Sequence, residues 1–471
     1  MKEVYPTLLL CVHGFFTNLR PSEPFLTAYL MGPDKNLTET QVVNEIYPVW
    51  TYSYLALLLP VFLATDFLRY KPVLILQASS LVATYVLLLW CRGVLAMQLL
   101  EFFFGVATAS EVAYYSYIYS VVDPARYRRV TGYCRSVTLF GAAAGCLLGQ
   151  LLLSVAAVRL RHLVAVTLAA AAVAFVPPWF LPMPRGSLLF HESPGEEEAG
   201  PRSGEALLES AEGKALPNTQ NASVASRPSE AGSRRGGFAG VSRLLLADLL
   251  LCYRCRPLLA WSLWWALATC GYFQVVNYAQ ALWENVRPSR DYQIYNGYVE
   301  TASTLLGALA ALLVGYLPVR WALWGELALC VLSLLMAASV FLMDTVRNIW
   351  LCYGSYVVFR ATYMLLITVA TFQIAASLSV RRYALVFGVN TFVALLLQSV
   401  LTLAVVDSAV LGLDVFAQFF VYGGYFAAIS LVFLAAGLCK LASGRRCGRD
   451  VPADGPADAE SLRENQTVGL H

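Results

Sequence analysis

Runs of about 20 mostly apolar residues recur along nearly the whole chain, and that is the length an α-helix needs to cross a hydrocarbon core of roughly 30 Å. Only 13% of the residues are charged and 58% are hydrophobic, whereas a soluble domain carries about 25% charge. Lipid is therefore the solvent for most of this chain.

The runs predict an all-α membrane protein with twelve transmembrane helices, at about 5–30, 47–68, 72–91, 94–120, 131–154 and 160–181, then 257–283, 293–318, 322–343, 347–374, 381–407 and 414–440. Residues 182–256 break the pattern with Pro, Ser, Gly and Glu, including Glu196-Glu197-Glu198 and Arg234-Arg235, and are too polar to bury a core. The organisation read from this is an N-terminal six-helix bundle over 1–181, a disordered cytoplasmic linker over 182–256, a C-terminal six-helix bundle over 257–440 and a disordered cytoplasmic tail over 441–471. Met1 to Phe16 has a charged tip and an apolar stretch but no A-x-A-like cleavage site, so it reads as the first span rather than a signal peptide.

Several function classes are disfavoured. A net charge of +3 spread through loops offers no basic face for nucleic acid. The eleven cysteines lie mostly inside apolar runs, and the single CxxC, Cys252 and Cys255, has neither a second pair nor a nearby His, so no metal or cofactor is expected. Cys439 and Cys447 flank the last helix on a basic edge, a setting compatible with palmitoylation. The four histidines, His13, His162, His191 and His471, are scattered, and no catalytic set falls within the spans, so no enzyme is expected.

Orientation follows from Lys and Arg in the short loops. With the N-terminus inside, the cytoplasmic loops hold twelve, among them Arg69, Lys71, Arg128 and Arg381, against seven outside, among them Lys35, Arg92 and Arg287. Both termini and the linker are then cytoplasmic. Asn36-Leu37-Thr38 is left as the outward-facing N-glycosylation sequon, while Asn221 and Asn465 stay unmodified. Two six-helix halves with a long central linker resemble the major facilitator architecture, in which bundles rock around a midplane site. The loop Asp66-Phe67-Leu68-Arg69-Tyr70-Lys71 is similar to the acid-then-basic loop of that superfamily, without its usual glycines.

Ionisable groups within apolar spans cost about 2.5–3.5 kcal/mol at a helix centre, so they mark pathways or partners. Glu101, Phe104, Thr108, Glu111 and Tyr115 recur at three- and four-residue steps and share one helical face. At 1.5 Å per residue the two carboxylates are roughly 15 Å apart, too far to grip one small group. Glu111 has two readings, a coupling group or a structural ion pair with Arg135 on the next helix. Glu23 lies between Pro21 and Pro24, where freed backbone requires a wet cavity, although a local pair with Arg20 at i,i+3 is the competing reading. Tyr47, Trp50 and Tyr54 form an aromatic face that is either an interfacial belt or a cavity wall. Asn277 and Gln280 offer amides for a solute or for interhelical glue. Glu300, Glu326 and Arg360 read as mutual partners or helix caps.

Four passages carry a family resemblance: Arg20-Pro21-Ser22-Glu23-Pro24-Phe25, Gly32-Pro33-Asp34-Lys35-Asn36, Asn44-Glu45-Ile46-Tyr47-Pro48-Val49-Trp50-Thr51-Tyr52 and Ala384-Leu385-Val386-Phe387-Gly388-Val389-Asn390. They resemble the animal folate and thiamine carriers, a branch of the major facilitator superfamily, from about residue 5 to 440. The resemblance implies a thiamine transporter rather than a folate carrier, because Glu111 stands where a carrier of anionic folate is expected to hold a basic residue. Thiamine carries a thiazolium charge and an aminopyrimidine, which carboxylates and aromatic faces recognise.

Carried over, the resemblance implies that Glu101 holds the aminopyrimidine against Trp50 and Phe104, with Glu23, Tyr47 and Asn277 around the remainder. Phe104 departs from the family's usual Tyr and loses a hydroxyl. The resulting expectation is a monomeric plasma-membrane thiamine importer in the lipid bilayer, working by alternating access, with proton coupling and carriage of pyridoxine or other organic cations as extensions. The alternatives are a reduced-folate carrier of the same fold and a non-transporting vitamin receptor.

Overall fold

In a computed structural model, residues 4–121, 127–183, 253, 256–314, 321–376 and 380–447 are described, and they are helical with short connections, with no strand among them. Most of the predicted linker, the tail beyond Cys447 and the CxxC at Cys252 lie outside the described residues. The first half comprises α1 (Val4–Asn18), α2 (Leu26–Met31), α3 (Tyr47–Phe67), α4 (Lys71–Trp90), α5 (Val94–Ala109), α6 (Glu111–Val121), α7 (Tyr127–Ser154), α8 (Leu160–Phe175) and the single turn α9 (Pro177–Phe180). The second comprises α10 (Arg256–Val286), α11 (Asn296–Val314), α12 (Trp321–Thr345), α13 (Ile349–Ala376), α14 (Val380–Leu401) and α15 (Val415–Cys447). The last helix runs past the predicted boundary at 440 because no proline follows before Pro452 and the basic end remains compatible with helix.

Ten helical segments are long and apolar enough to cross a membrane, judged by length and composition among the described residues. Leucines such as Leu95, Leu312 and Leu431 stand exposed on their outer faces, as side chains do when the surrounding solvent is hydrocarbon. Two predicted spans are not among the ten, for different reasons. α10 has 31 residues, about 46 Å of helix, but its Trp, Tyr, Gln and Asn lower its hydropathy. The first span is broken in two.

The break has a clear cause. Pro21 and Pro24 lack the N–H groups that would continue the ladder, so α1 ends at Asn18 and α-helix resumes only at Leu26, after a single 3-10 turn over Glu23–Phe25. Freed carbonyls at membrane depth need donors, and side chains supply them. Asn18 Nδ2 donates to Gly14 O (2.9 Å) and Arg20 Nε to Thr17 O (2.8 Å). From the second half, Gln280 Nε2 donates to Glu23 O (2.9 Å) and Asn296 Nδ2 to Pro24 O (3.0 Å). The interruption is thus held from both halves.

α7 packs its backbone against this break. A Cβ at Gly141, Gly145 or Gly149 would lie 2.6, 2.6 and 2.2 Å from Phe15 O, Arg20 N and Pro21 O respectively. These obstacles are main-chain atoms and cannot swing aside. Gly149→Ala is therefore expected to destabilise the fold by about 1–3 kcal/mol, the usual cost of overpacking. Thermal unfolding in detergent measures this, and an unchanged midpoint would show that α7 has room to move.

The halves meet through α7 against α11 and α3 against α14. Between these two seams lies the cavity.

Candidate functional site

One cavity of about 440 Å³ lies between the halves, within the range of small-molecule sites. It is lined by the broken first span and by residues of α3, α4, α5, α6, α7, α10, α11 and α13. The two spans not selected as apolar crossings, the broken α1–α2 and the more polar α10, both contribute to its wall.

The structure brings Glu23, Tyr47, Trp50, Glu101, Phe104, Glu111 and Asn277 onto this wall. Trp50 and Phe104 have ring centroids 6.4 Å apart at 36°, and Phe273 meets Trp50 edge-on at 6.1 Å. Trp50 is fixed by donating Nε1–H to Thr108 Oγ1 at 3.2 Å, and Tyr47 by a 2.6 Å hydrogen bond with Thr27. Trp50 and its neighbours therefore form a wall rather than an interfacial belt. Glu101 is only 5% exposed, and neither a hydrogen bond nor an ion pair is found for it among the described residues. Asn277 likewise keeps its amide free of such bonds, while the neighbouring Gln280 bridges the halves.

The face predicted on the fourth span changes at its lower end. α5 stops at Ala109, Ser110 turns the chain, and Tyr114 rather than Tyr115 reaches the cavity, its hydroxyl donating to Leu10 O at 3.1 Å. The predicted pair of Glu111 with Arg135 is not formed among the described residues. Arg135 is exposed on α7 one turn before Thr138, on the same helical stripe as the cavity-lining Thr138, Ala142 and Cys146, so it lies beyond the lining yet within electrostatic reach of Glu111 and not at ion-pair distance.

Arg20 does pair with Glu23, its Nη1 lying 3.4 Å from Oε2, and the guanidinium sits 5.2 Å from the Phe104 centroid. Across the cavity Arg360 bonds Glu300 and donates to Ser303 Oγ (3.0 Å), while Tyr356 OH donates to Glu300 Oε1 (2.8 Å). Sequence reasoning left Arg20, Phe273, Glu300 and Arg360 out of the site. Phe273 was findable, since it lies four residues before Asn277 on the same face of α10. The cation over Phe104 was not, because the approach depends on the helix break.

The hydrogen bonds that cross between halves cluster toward the end that carries residues 32–46, 287–295 and 407–414. Besides the two already given, Gln150 Nε2 donates to Ile294 O (2.8 Å) while Gly297 N donates to Gln150 Oε1 (2.9 Å). Asn44 donates to Val406 O and Leu413 O, and Tyr52 OH to Asp407 Oδ2 (2.9 Å). Lys35, in the loop beside this end, is buried, and burial holds its ammonium below the ordinary lysine range; it donates to Cys91 O. The cavity is closed on this side.

Residues 2–421 match the profile of the reduced folate carrier family. Thiamine transporter 1 of Homo sapiens is 57% identical over 442 residues, 92% of this chain and 89% of that protein. Thiamine transporter 2 of Homo sapiens is 49% identical over 466 residues, 97% of this chain and 94% of that protein. A solved structure of a variant of the nucleoside transporter NupG superposes with a TM-score of 0.60, covering 91% of this chain and 99% of that one at 13% identity, a likeness of fold alone. These relatives are transporters, not enzymes. With the two-halved helical architecture and a match across nearly its whole length, this chain belongs to the reduced folate carrier family and has the fold of the major facilitator transporters.

Proposed function

We propose that this chain imports thiamine across the plasma membrane by alternating access, as a monomer of twelve spans whose two halves rock about the central cavity. The observation that carries this reading is the charge balance of the cavity wall. Its lining holds two guanidiniums, Arg20 and Arg360, against four carboxylates; the arginines contact Glu23 and Glu300, while Glu101 and Glu111 make no ion pair at contact distance among the described residues, with Arg20 and Arg135 only within electrostatic reach of Glu111. A site with surplus negative charge beside Trp50, Phe104 and Phe273 suits a planar cation and opposes an anion such as folate. The names of the relatives at 57% and 49% identity support the same substrate.

Labelled thiamine uptake into proteoliposomes containing the purified chain tests this directly. Unlabelled thiamine is expected to compete at least about tenfold better than folate, a difference of 1.4 kcal/mol. Stronger competition by folate would reverse the substrate assignment, and binding without accumulation would make the protein a receptor. Proton coupling at Glu111, with pyridoxine and other organic cations as further cargo, extends the proposal. Uptake indifferent to an imposed pH gradient would remove the coupling.

In this reading the closed end faces outside, the cavity opens inward, and both termini are cytoplasmic. Asn36, exposed in the loop at the closed end, is then N-glycosylated. Asn36→Gln is expected to abolish a glycosidase-sensitive mobility shift, whereas a shift that persists would place the glycan elsewhere.

A further inference from the structure

The face that a planar cation needs is covered by the protein's own arginine. Arg20 reaches over Phe104 at 5.2 Å and faces Glu23 at 3.4 Å, so it touches an aromatic face and a carboxylate assigned above to the substrate. Guanidinium is flat, delocalised and weakly hydrated, which makes it a fair mimic of a heteroaromatic cation. Its attachment to Glu23 is loose. Both Arg20–Glu23 contacts, at 3.4 and 3.5 Å, are long for a charge-assisted hydrogen bond, and the Glu23 side chain is 49% exposed. Arg360, by contrast, bonds Glu300 directly within a set completed by Ser303 and Tyr356, with both side chains at 13–16% exposure. One pair is built to stay and the other to part. The close bond of the Arg20 head, Nε to Thr17 O at 2.8 Å, is to main chain and not to Glu23.

We propose that Arg20 is a resident stand-in for the cationic substrate, covering Phe104 and neutralising Glu23 on the return step made without cargo and yielding both groups when the substrate enters. The inference rests on the thiamine reading above. Its physical basis is that a carrier must reorient its site through a closed state in which a bare carboxylate loses water. Substrate supplies the positive charge in one direction. Arg20 supplies it in the other.

The test compares net thiamine uptake, which requires the cargo-free return, with thiamine–thiamine exchange, which does not, in proteoliposomes holding the full chain. For the unmodified protein the two rates are expected within about threefold of each other; exchange more than about tenfold faster would overturn the proposal. Arg20→Gln is expected to depress net uptake about tenfold more than exchange, because Glu23 is left uncovered on the return. Arg20→Lys, which keeps the charge, and the double variant Arg20→Gln with Glu23→Gln, which removes the need for it, should both bring the ratio back toward that of the unmodified chain. A residue with a merely structural role would lower both rates together, and that result, or a double variant with no recovery of the ratio, would reject the stand-in. Should Arg20→Gln fail to fold, the ratios of Arg20→Lys and of the unmodified chain decide. An unmodified chain with neither uptake nor exchange removes the thiamine reading itself, a failure distinct from an altered ratio.

Discussion

Glu101→Gln is expected to lower thiamine uptake by roughly two orders of magnitude while leaving the folded protein as stable as before, or more so. The two halves of that result share one cause. Glu101 is 5% exposed at the cavity wall, with no protein donor found among the described residues to compensate its charge. Hydrogen bonds to a charged group contribute about 1.5–3 kcal/mol, so a substrate that supplies both donors and positive charge gains up to about a hundredfold from this carboxylate. Without substrate the same charge is a liability, because a desolvated carboxylate lacking a partner destabilises whatever holds it. Glutamine keeps the shape and removes both effects. Uptake measured at equal surface expression, together with unfolding midpoints in detergent, separates them. A parallel fall in uptake and midpoint would mean that Glu101 is structural, and unchanged uptake would remove it from the site.

The opposite pattern is expected across the cavity. Arg360→Met leaves the partly buried Glu300 with only a tyrosine to stabilise it, and breaking a pair from one side costs up to about 3–5 kcal/mol when burial is complete. This variant should fail to accumulate in the membrane. Replacing both members, Glu300→Gln with Arg360→Met, removes the orphaned charge and should recover most of the loss, since apolar or neutral substitutes for a buried pair are often tolerated. Expression and thermal midpoints of the two single variants and the double variant form the cycle that measures this coupling. Additive losses would show that the two groups act separately.

The contrast between Glu101 and Glu300 indicates what a sequence can and cannot disclose. Both are glutamates within apolar runs, and period alone placed Glu101, Phe104, Thr108 and Glu111 on one face because a regular helix carries its geometry in its spacing. Spans of ordinary hydropathy were legible to within a few residues for the same reason, as α4 and α12 illustrate. Irregular backbone has no such rule. Pro21 and Pro24 announced an interruption but gave no direction for Arg20, whose reach to Phe104 depends on where the chain turns. Ser110 carries no obvious stop signal, so the exchange of Tyr115 for Tyr114 at the cavity was hidden. Glu111 and Arg135 do not reach contact distance, although Arg135 shares the stripe of Thr138 and Ala142 and acts on Glu111 from further away, because spacing within one helix gives no depth relative to its neighbour. Contacts between halves, such as Gln150 to Gly297, join residues 147 positions apart and leave no local trace.

The contacts that close one end of the cavity are chiefly side-chain amides on main-chain carbonyls and amides: Gln150, Gln280, Asn296 and Asn44. Each such neutral bond nets only about 0.5–1.5 kcal/mol, because water offers nearly equivalent partners when it breaks. The seam therefore behaves as a zipper of shallow teeth rather than an ionic clasp. Its opening should depend little on salt, and its two positions differ by an amount that the binding of one small solute is able to reverse.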